Sequence, residues 1–463
     1  MNIAELHIEH LKLFEDFKLS FIRPDGKPYE WTILIGENGT GKTSILQAIA
    51  MAAAGQLQVN SLAGRLVSQL RDRRSDATMN IRATFSLSKP PPGVKRPHPA
   101  LAELPEDDIV RRLGPSGLSS TVNLAVDETS LRAGSAYEGI NVPNPLDTVR
   151  AKNTPLWFVA GYGVGRQLPD VSTRPLLNQP SIERMAPLFR SDQALTSTGF
   201  LNYFGGENDK DDDGNGNERP DKAQMYSKML KRALLAVDSV LPGISHLELR
   251  GHGGVRKAGD LQERDRFKQR VTDDPADDVK LPLIALSHGY QSTVAWIADL
   301  IGHIVLEAET VLDLKDVRGL VLIDELDLYL HPTWQVVLVH ALRKTFPGMQ
   351  FVASTHSPLV LAGLRPDRDQ IVRLQIDRKS GNIVRVPVEG DPRLMTGTEL
   401  LKSYFNVDDI HPDAAGRDLR NYRYLAANPF RSDEDEAELK RLRARLAAQD
   451  IDPHFDPVPR EAP

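Results

Sequence analysis

The sequence contains no cysteine, which excludes a disulfide framework, a thiolate zinc site, an iron–sulfur cluster and a cysteine nucleophile. It has no surplus of positive charge: 57 Lys and Arg stand against 63 Asp and Glu, for a net charge of −6. That balance argues against a dedicated, strongly basic nucleic-acid binder, while leaving room for a local basic patch. Long apolar runs are missing too. The most apolar long window, Ser292 to Leu312, carries Asp299, His303, Glu307 and Glu309, so it is no membrane span. The opening MNIAELHIEH has acids and histidines where a secretory signal needs a basic and then an apolar run. There is no internal repeat and no sustained heptad pattern. A cytoplasmic location is expected. At roughly 100–200 residues per domain, 463 residues should form two or three structural units.

What is present is an alternation of apolar strands and helices. Short alternating stretches up to Phe21, a PDGKP turn and the uninterrupted WTILIG strand (Trp31 to Gly36) open the chain. A helix is expected from about Gly41. The signal weakens from about Asn80 to Pro155, and KPPPGVKRPHP (Lys89 to Pro99) reads as an exposed loop. The stretch Glu207 to Asp221 is acidic and of low complexity. Its Asp209, Asp211 and Asp213 mimic the start of a calcium loop, but Pro220 stands where the bidentate glutamate is needed. After Met225 to Leu241, a helix, and the charged stretch Gly251 to Lys280, regularity returns. A helix after Ser287, the strand VRGLVLIDEL, another helix and the strand MQFVAST (Met349 to Thr355) make a βαβ rhythm, hence a mostly parallel sheet. Arg378 to Val388 reads as a late hairpin, and Glu434 to Asp450 as an amphipathic helix.

Four elements carry chemistry. Gly36-Glu37-Asn38-Gly39-Thr40-Gly41-Lys42-Thr43 matches G-x-x-x-x-G-K-[ST] between a buried strand and a helix. Its glycines let backbone N–H groups turn around phosphate oxygens at a helix N-terminus; Lys42 would reach the β/γ-phosphates and Thr43 would hold Mg²⁺. VLIDE (Val321 to Glu325) is an apolar strand capped by two carboxylates. On strand alternation Asp324 and Glu325 point to opposite sides, so Asp324 can serve Mg²⁺ and Glu325 can polarise an attacking water. LSHGYQS (Leu286 to Ser292) sets Ser287 and a glycine at a helix start, a second anion site. His356 follows a strand of the parallel sheet, at the end where such sheets bind ligands.

In this order the four elements resemble the ATP-binding-cassette ATPases, in the branch of SMC-like, RecF-like and OLD-like heads. Gly36 to Thr43 is the Walker A, LSHGYQ the family signature, VLIDE the Walker B, LHP (Leu330 to Pro332) the D-loop and STHSP (Ser354 to Pro358) the switch-histidine motif. DELDLYLHPTWQ (Asp324 to Gln335) is similar to bacterial stand-alone AAA family ATPases such as the PtuA subunit of Septu anti-phage systems. The resemblance implies an α/β ATPase head with a mostly parallel sheet, an antiparallel N-terminal β subdomain, a helical lid and a helical tail. Its expected bounds are an N-terminal ATPase lobe 1–170, a helical and loop lid 171–280, a C-terminal ATPase lobe 281–400 and a tail 401–463. It implies ATP and Mg²⁺ as ligands. Glu325, His356 and Lys42 would act in catalysis, and Thr43 and Asp324 on the metal. ATP would touch Gly36 to Ser44, then Ser287 and Gly289 of a second copy, so that the site is complete only in a homodimer. The Q-loop is not evident; Gln167 is the best candidate for its glutamine, with Gln179 and Gln193 as rivals. His288 departs from the signature pattern.

The function this implies is a regulatory ATPase of a bacterial defence module. The long coiled coils of SMC heads are missing, and 401–463 is too short for the acidic metal domain of an OLD nuclease. An effector nuclease, of HNH or Toprim type, is therefore expected as a separate protein. Two other classes remain: a RecF-type DNA-repair ATPase, and a transporter's nucleotide subunit, which the large insert disfavours. Basic clusters at Arg65 to Arg74, Lys228 to Arg232 and Arg256 to Arg270 could meet nucleic-acid phosphates, although solvation is the simpler role.

Overall fold

A computed structural model describes residues 1–86, 117–137, 143–147, 158–192, 194–207, 221–235, 241, 243–248, 257–308, 313–407 and 413–460. The segment 89–99, most of the acidic stretch 207–221, and Gln193 lie outside the described residues. The chain divides into two compact units, Met1–Leu394 and Met395–Pro463.

In the first unit three strands are buried along their whole length: β3 (Trp31–Ile35), β11 (Gly319–Ile323) and β12 (Met349–Ser354). Continuous apolar runs of this kind form parallel strands covered on both faces. They pair in parallel with each other and with β7 (Val159–Tyr162) and β13 (Asp369–Ile376). An antiparallel edge strand, β14 (Ile383–Val386), completes the order β14-β13-β3-β12-β11-β7. The second sheet is antiparallel, in the order β2-β1-β4-β5-β6. Its strands are β1 (Asn2–Leu11), β2 (Phe14–Ser20), β4 (Met79–Ser86), β5 (Leu118–Leu124) and β6 (Arg132–Tyr137). It is the N-terminal β subdomain, and it extends through the region where the sequence pattern fades.

Helix α1 (Lys42–Ala54) lies between the sheets, touching β4 and β5 on one side and β7, β11 and β12 on the other. Its sequence explains the position, because SILQAIAMAAA has no polar face and every residue from Ser44 to Ala54 is buried. Burial of Ile45, Leu46, Ile49 and Met51 contributes about 1.5–3 kcal/mol per side chain. Gln47, the one long polar side chain among them, donates to the Leu188 carbonyl at 3.3 Å.

The register places four strand ends together: Ser354 pairs with Leu34, while Ile323 pairs with Ala353 and Tyr162. The loops following β3, β7, β11 and β12 therefore leave the same carboxyl edge, where open α/β sheets bind ligands.

Between β7 and β11 the insert is helical in part, with α2 (Phe200–Glu207) and α3 (Lys222–Leu235). α3 packs on the long helix α4 (His288–Glu307). The insert also holds a three-stranded antiparallel sheet of β8 (Ile244–Glu248), β9 (Arg266–Gln269) and β10 (Val279–Leu281). Lys268 and Lys280 both reach Glu248 across it. Cross-strand ion pairs replace the apolar alternation that would have marked these strands.

The second unit is helical. α6 (Gly397–Phe405) starts at a Thr396–Glu399 capping box. α7 (Ala414–Ala427) and α8 (Asp433–Ala447) share a core of Tyr422, Ala426, Leu439, Leu442 and Leu446. In the first unit, helix α5 (Pro332–Thr345) joins β11 to β12. No described helix is long and apolar enough to cross a membrane.

Candidate functional site

The phosphate loop runs from Gly36 to Gly41 and feeds into α1. Gly41 has φ 80°, and a Cβ there would lie 2.6 Å from the Phe14 ring, so only glycine fits. No side chain caps α1, so its first-turn amides and positive end remain available to an anion. Lys42 is only 7% exposed, and its ammonium rests on the carbonyls of Gly36 at 2.8 Å and Glu37 at 2.9 Å. Burial lowers its pKa, while Asp324, Glu325 and Asp327 pull it back up. A buried cation held by neutral carbonyls is poised for a stronger, charged acceptor such as phosphate.

The carboxylates converge from β11. The Thr43 hydroxyl donates to Asp324 Oδ2 at 2.7 Å. The Ser354 hydroxyl donates to Asp324 Oδ1 and accepts the Glu325 N–H at 2.8 Å. The alternation argument is corrected: β11 ends at Ile323, so Asp324 and Glu325 both lie beyond the strand. Glu325 adopts the left-handed region, with φ 47°. Its half-buried carboxylate accepts no hydrogen bond among the described residues, which leaves it free to meet a water. Thr43 and Asp324 bring two hard oxygens together. That donor set suits Mg²⁺, which takes one or two protein oxygens and fills its shell with phosphate and water. His356 is exposed just past β12, and its N–H donates to Asp327 Oδ1 at 3.2 Å. Asp327 also accepts from the Thr355 hydroxyl.

Ser287 and Gly289 are built on a different neighbour. A Cβ on Gly289 would lie 2.5 Å from the Tyr329 carbonyl, and the Tyr290 and Trp334 ring centroids are 4.8 Å apart. The Gln291 amide donates to the carbonyls of Ile284 and Leu286 at 3.1 and 2.7 Å. This start of α4 is thereby pinned to the segment following Glu325. Ser287 is exposed and does not cap the helix with its hydroxyl. Among the described residues no hydrogen bond joins Ser287 or Gly289 to Gly36–Ser44. Gln167 is exposed, its carbonyl accepting from the Leu195 N–H at 3.1 Å, and Gln179 is exposed too.

Three further residues at the site escaped sequence reasoning. Asp327 and Ser354 stand inside DELD and STHSP, but their bonds, to Thr355 and His356 and to Asp324 and Glu325, are tertiary. Lys12, whose Nζ donates to the Ser44 hydroxyl at 2.9 Å, carries no local signal.

Residues 1–141 match the family described as "AAA ATPase domain". Residues 165–362 match "AAA domain, putative AbiEii toxin, Type IV TA system". The Septu protein PtuA of Bacillus mycoides is 24% identical over 96% of this chain, which spans only 50% of that protein's length. The Retron Ec83 probable ATPase of Escherichia coli is 25% identical over 99% of this chain and 84% of its own. An SMC head solved with the winged-helix domain of ScpA overlaps 84% of this chain and 98% of its own, at TM-score 0.46 and 14% identity. With ATPase-domain matches over 1–141 and 165–362 and similarity along most of its length to these proteins, the chain is similar to the ABC-like AAA ATPases.

Proposed function

We propose that the chain is an ATP-hydrolysing switch of a bacterial antiviral defence module, dimerising on ATP and controlling a separately encoded effector nuclease. The observation that carries the chemistry is the convergence of Lys42, Thr43, Asp324 and Glu325 on one sheet edge. Lys42 and the α1 amides bind the β/γ-phosphates. Thr43 and Asp324 hold Mg²⁺, which would neutralise charge developing on the transferred phosphoryl group. Glu325 orients the attacking water, and His356 meets the γ-phosphate. Ser287 is accessible, which suits completion of the ATP site by a second copy. ATP then makes contacts in the closed dimer that its products lose, and this difference drives the switch.

The defence role rests on similarity to a Septu protein and a retron ATPase. The test is a phage challenge of cells carrying the gene with its genomic neighbours, alongside ATP turnover of the purified chain. Lys42→Ala should abolish both turnover and protection. Turnover without any protection would defeat the defence reading, and ATP-dependent DNA binding by the chain alone would favour a RecF-type repair role.

A further inference from the structure

Arg166 is 5% exposed, yet among the described residues none of its hydrogen bonds goes to a carboxylate. Its Nε donates to the Gly163 carbonyl at 2.9 Å. Its Nη2 donates to the carbonyls of both Asp324 and Glu325, the latter at 2.9 Å. We propose that Arg166 is a positioning residue that fixes the peptide of Glu325 and ties it to the turn carrying Gln167. This rests on the hydrolysis reading above and adds to it a residue that none of the motifs includes.

The case for it is geometric. Glu325 occupies the left-handed region at φ 47°, which a non-glycine residue keeps only under external restraint. Both of its backbone polar groups are held: the N–H by Ser354, the carbonyl by Arg166 and by the Leu328 N–H at 3.0 Å. Only the carboxylate is left free. The base of Arg166 is equally constrained. A Cβ on Gly163 would lie 2.5 Å from the Pro187 carbonyl, and one on Gly165 would lie 2.4 Å from that of Ser191. The Asp324 N–H in turn donates to the Tyr162 carbonyl at 2.8 Å. The guanidinium thus bridges two strand ends, one bearing the water-orienting carboxylate and the other the exposed Gln167. A displacement of the Gln167 turn would move the Glu325 peptide through this fork. Burial pulls the Arg166 pKa down to about 10, against the pull of Asp324, Asp327, Glu325 and Tyr329. The group therefore stays charged at neutral pH.

The test compares steady-state ATP hydrolysis, ATP affinity by titration with a fluorescent ATP analogue, and thermal melting for wild type, Arg166→Ala and Arg166→Lys. Arg166→Ala should lose at least about tenfold in kcat while KM and analogue affinity stay within about threefold. Arg166→Lys should fall between wild type and Arg166→Ala, because one ammonium cannot reproduce the planar fork. If Arg166→Ala fails to fold, Arg166→Lys decides alone: a lowered kcat at unchanged KM supports the role. A wild-type kcat, or affinity and kcat falling together, overturns it. Absence of Lys42-dependent turnover in wild type would overturn the hydrolysis reading and this role with it. Turnover at the wild-type rate in Arg166→Ala overturns only the role of Arg166.

Discussion

The hydroxyl of Thr43 donates to the Oδ2 of Asp324 across 2.7 Å, joining two residues 281 positions apart in the chain. The bond locks the start of α1 to the end of β11 and sets two oxygens where a divalent cation would bridge to phosphate. Thr43→Val should therefore raise the Mg²⁺ concentration for half-maximal turnover by at least about tenfold, and Thr43→Ser should largely retain the wild-type value. A Mg²⁺ titration of ATP hydrolysis reads this out; equal midpoints in all three proteins would contradict it.

Asp327 holds the switch segment through the Thr355 hydroxyl and the His356 N–H. Asp327→Ala frees His356 without touching the phosphate loop. Its kcat should drop by about 10–100-fold with KM for ATP nearly constant, since a small misplacement near the chemistry costs rate rather than binding. Initial-rate kinetics over a range of ATP concentrations separates the two parameters.

The lid is packed onto α4 at Gly302, where a Cβ would lie 2.0 Å from the Phe200 ring. Alanine in a helix interior ordinarily gains about 0.5–1 kcal/mol over glycine. Here overpacking should reverse the sign, and Gly302→Ala should lose about 1–2 kcal/mol. Urea denaturation checks it, and adding Phe200→Leu should restore part of the loss. A stabilised Gly302→Ala would show that the lid does not seat on this helix.

Asp299 is buried in α4, where the Ser197 N–H at 2.9 Å and the Tyr162 hydroxyl at 3.1 Å donate to it. Burial pushes its pKa up to about 6, from an ordinary 3.8. A raised pKa means that the native state holds the proton more tightly. That stabilisation is complete below about 3.8 and is lost as pH rises through about 6. His303, kept neutral by burial and by Arg184, has the opposite trend: its stabilisation is lost as pH falls below its ordinary 6.5. Comparison with Asp299→Asn isolates the aspartate. The variant should gain on wild type by up to about 3 kcal/mol between pH 4 and 7. A pH-independent offset between the two denaturation curves would contradict this.

The legible parts of the site are those whose chemistry is local in sequence. The phosphate loop, VLIDE and STHSP each place strand, turn and functional side chain within a few residues, and the parallel sheet follows from three largely apolar, wholly buried strands. What stayed hidden depends on distance. Asp327 and Ser354 act through bonds that span 28 to 30 positions, and Arg166 reaches 158 positions to Asp324. In β5 Ser120 interrupts the alternation of Leu118, Val122 and Leu124, β6 is mostly small and polar, and β9 is charged, so the apolar pattern is weak. The left-handed backbone at Glu325 stayed hidden too, because period-two patterning carries no information on φ.

The most direct test of the account is Glu325→Gln, which keeps shape and hydrogen-bonding capacity but removes the charge that would orient the water. With ATP and Mg²⁺, kcat should fall by at least about 100-fold, and light scattering should show a stable dimer that wild type forms only transiently. Wild-type turnover in this variant, or a monomer under those conditions, would contradict the assignment of Glu325 and the ATP-driven switch built on it.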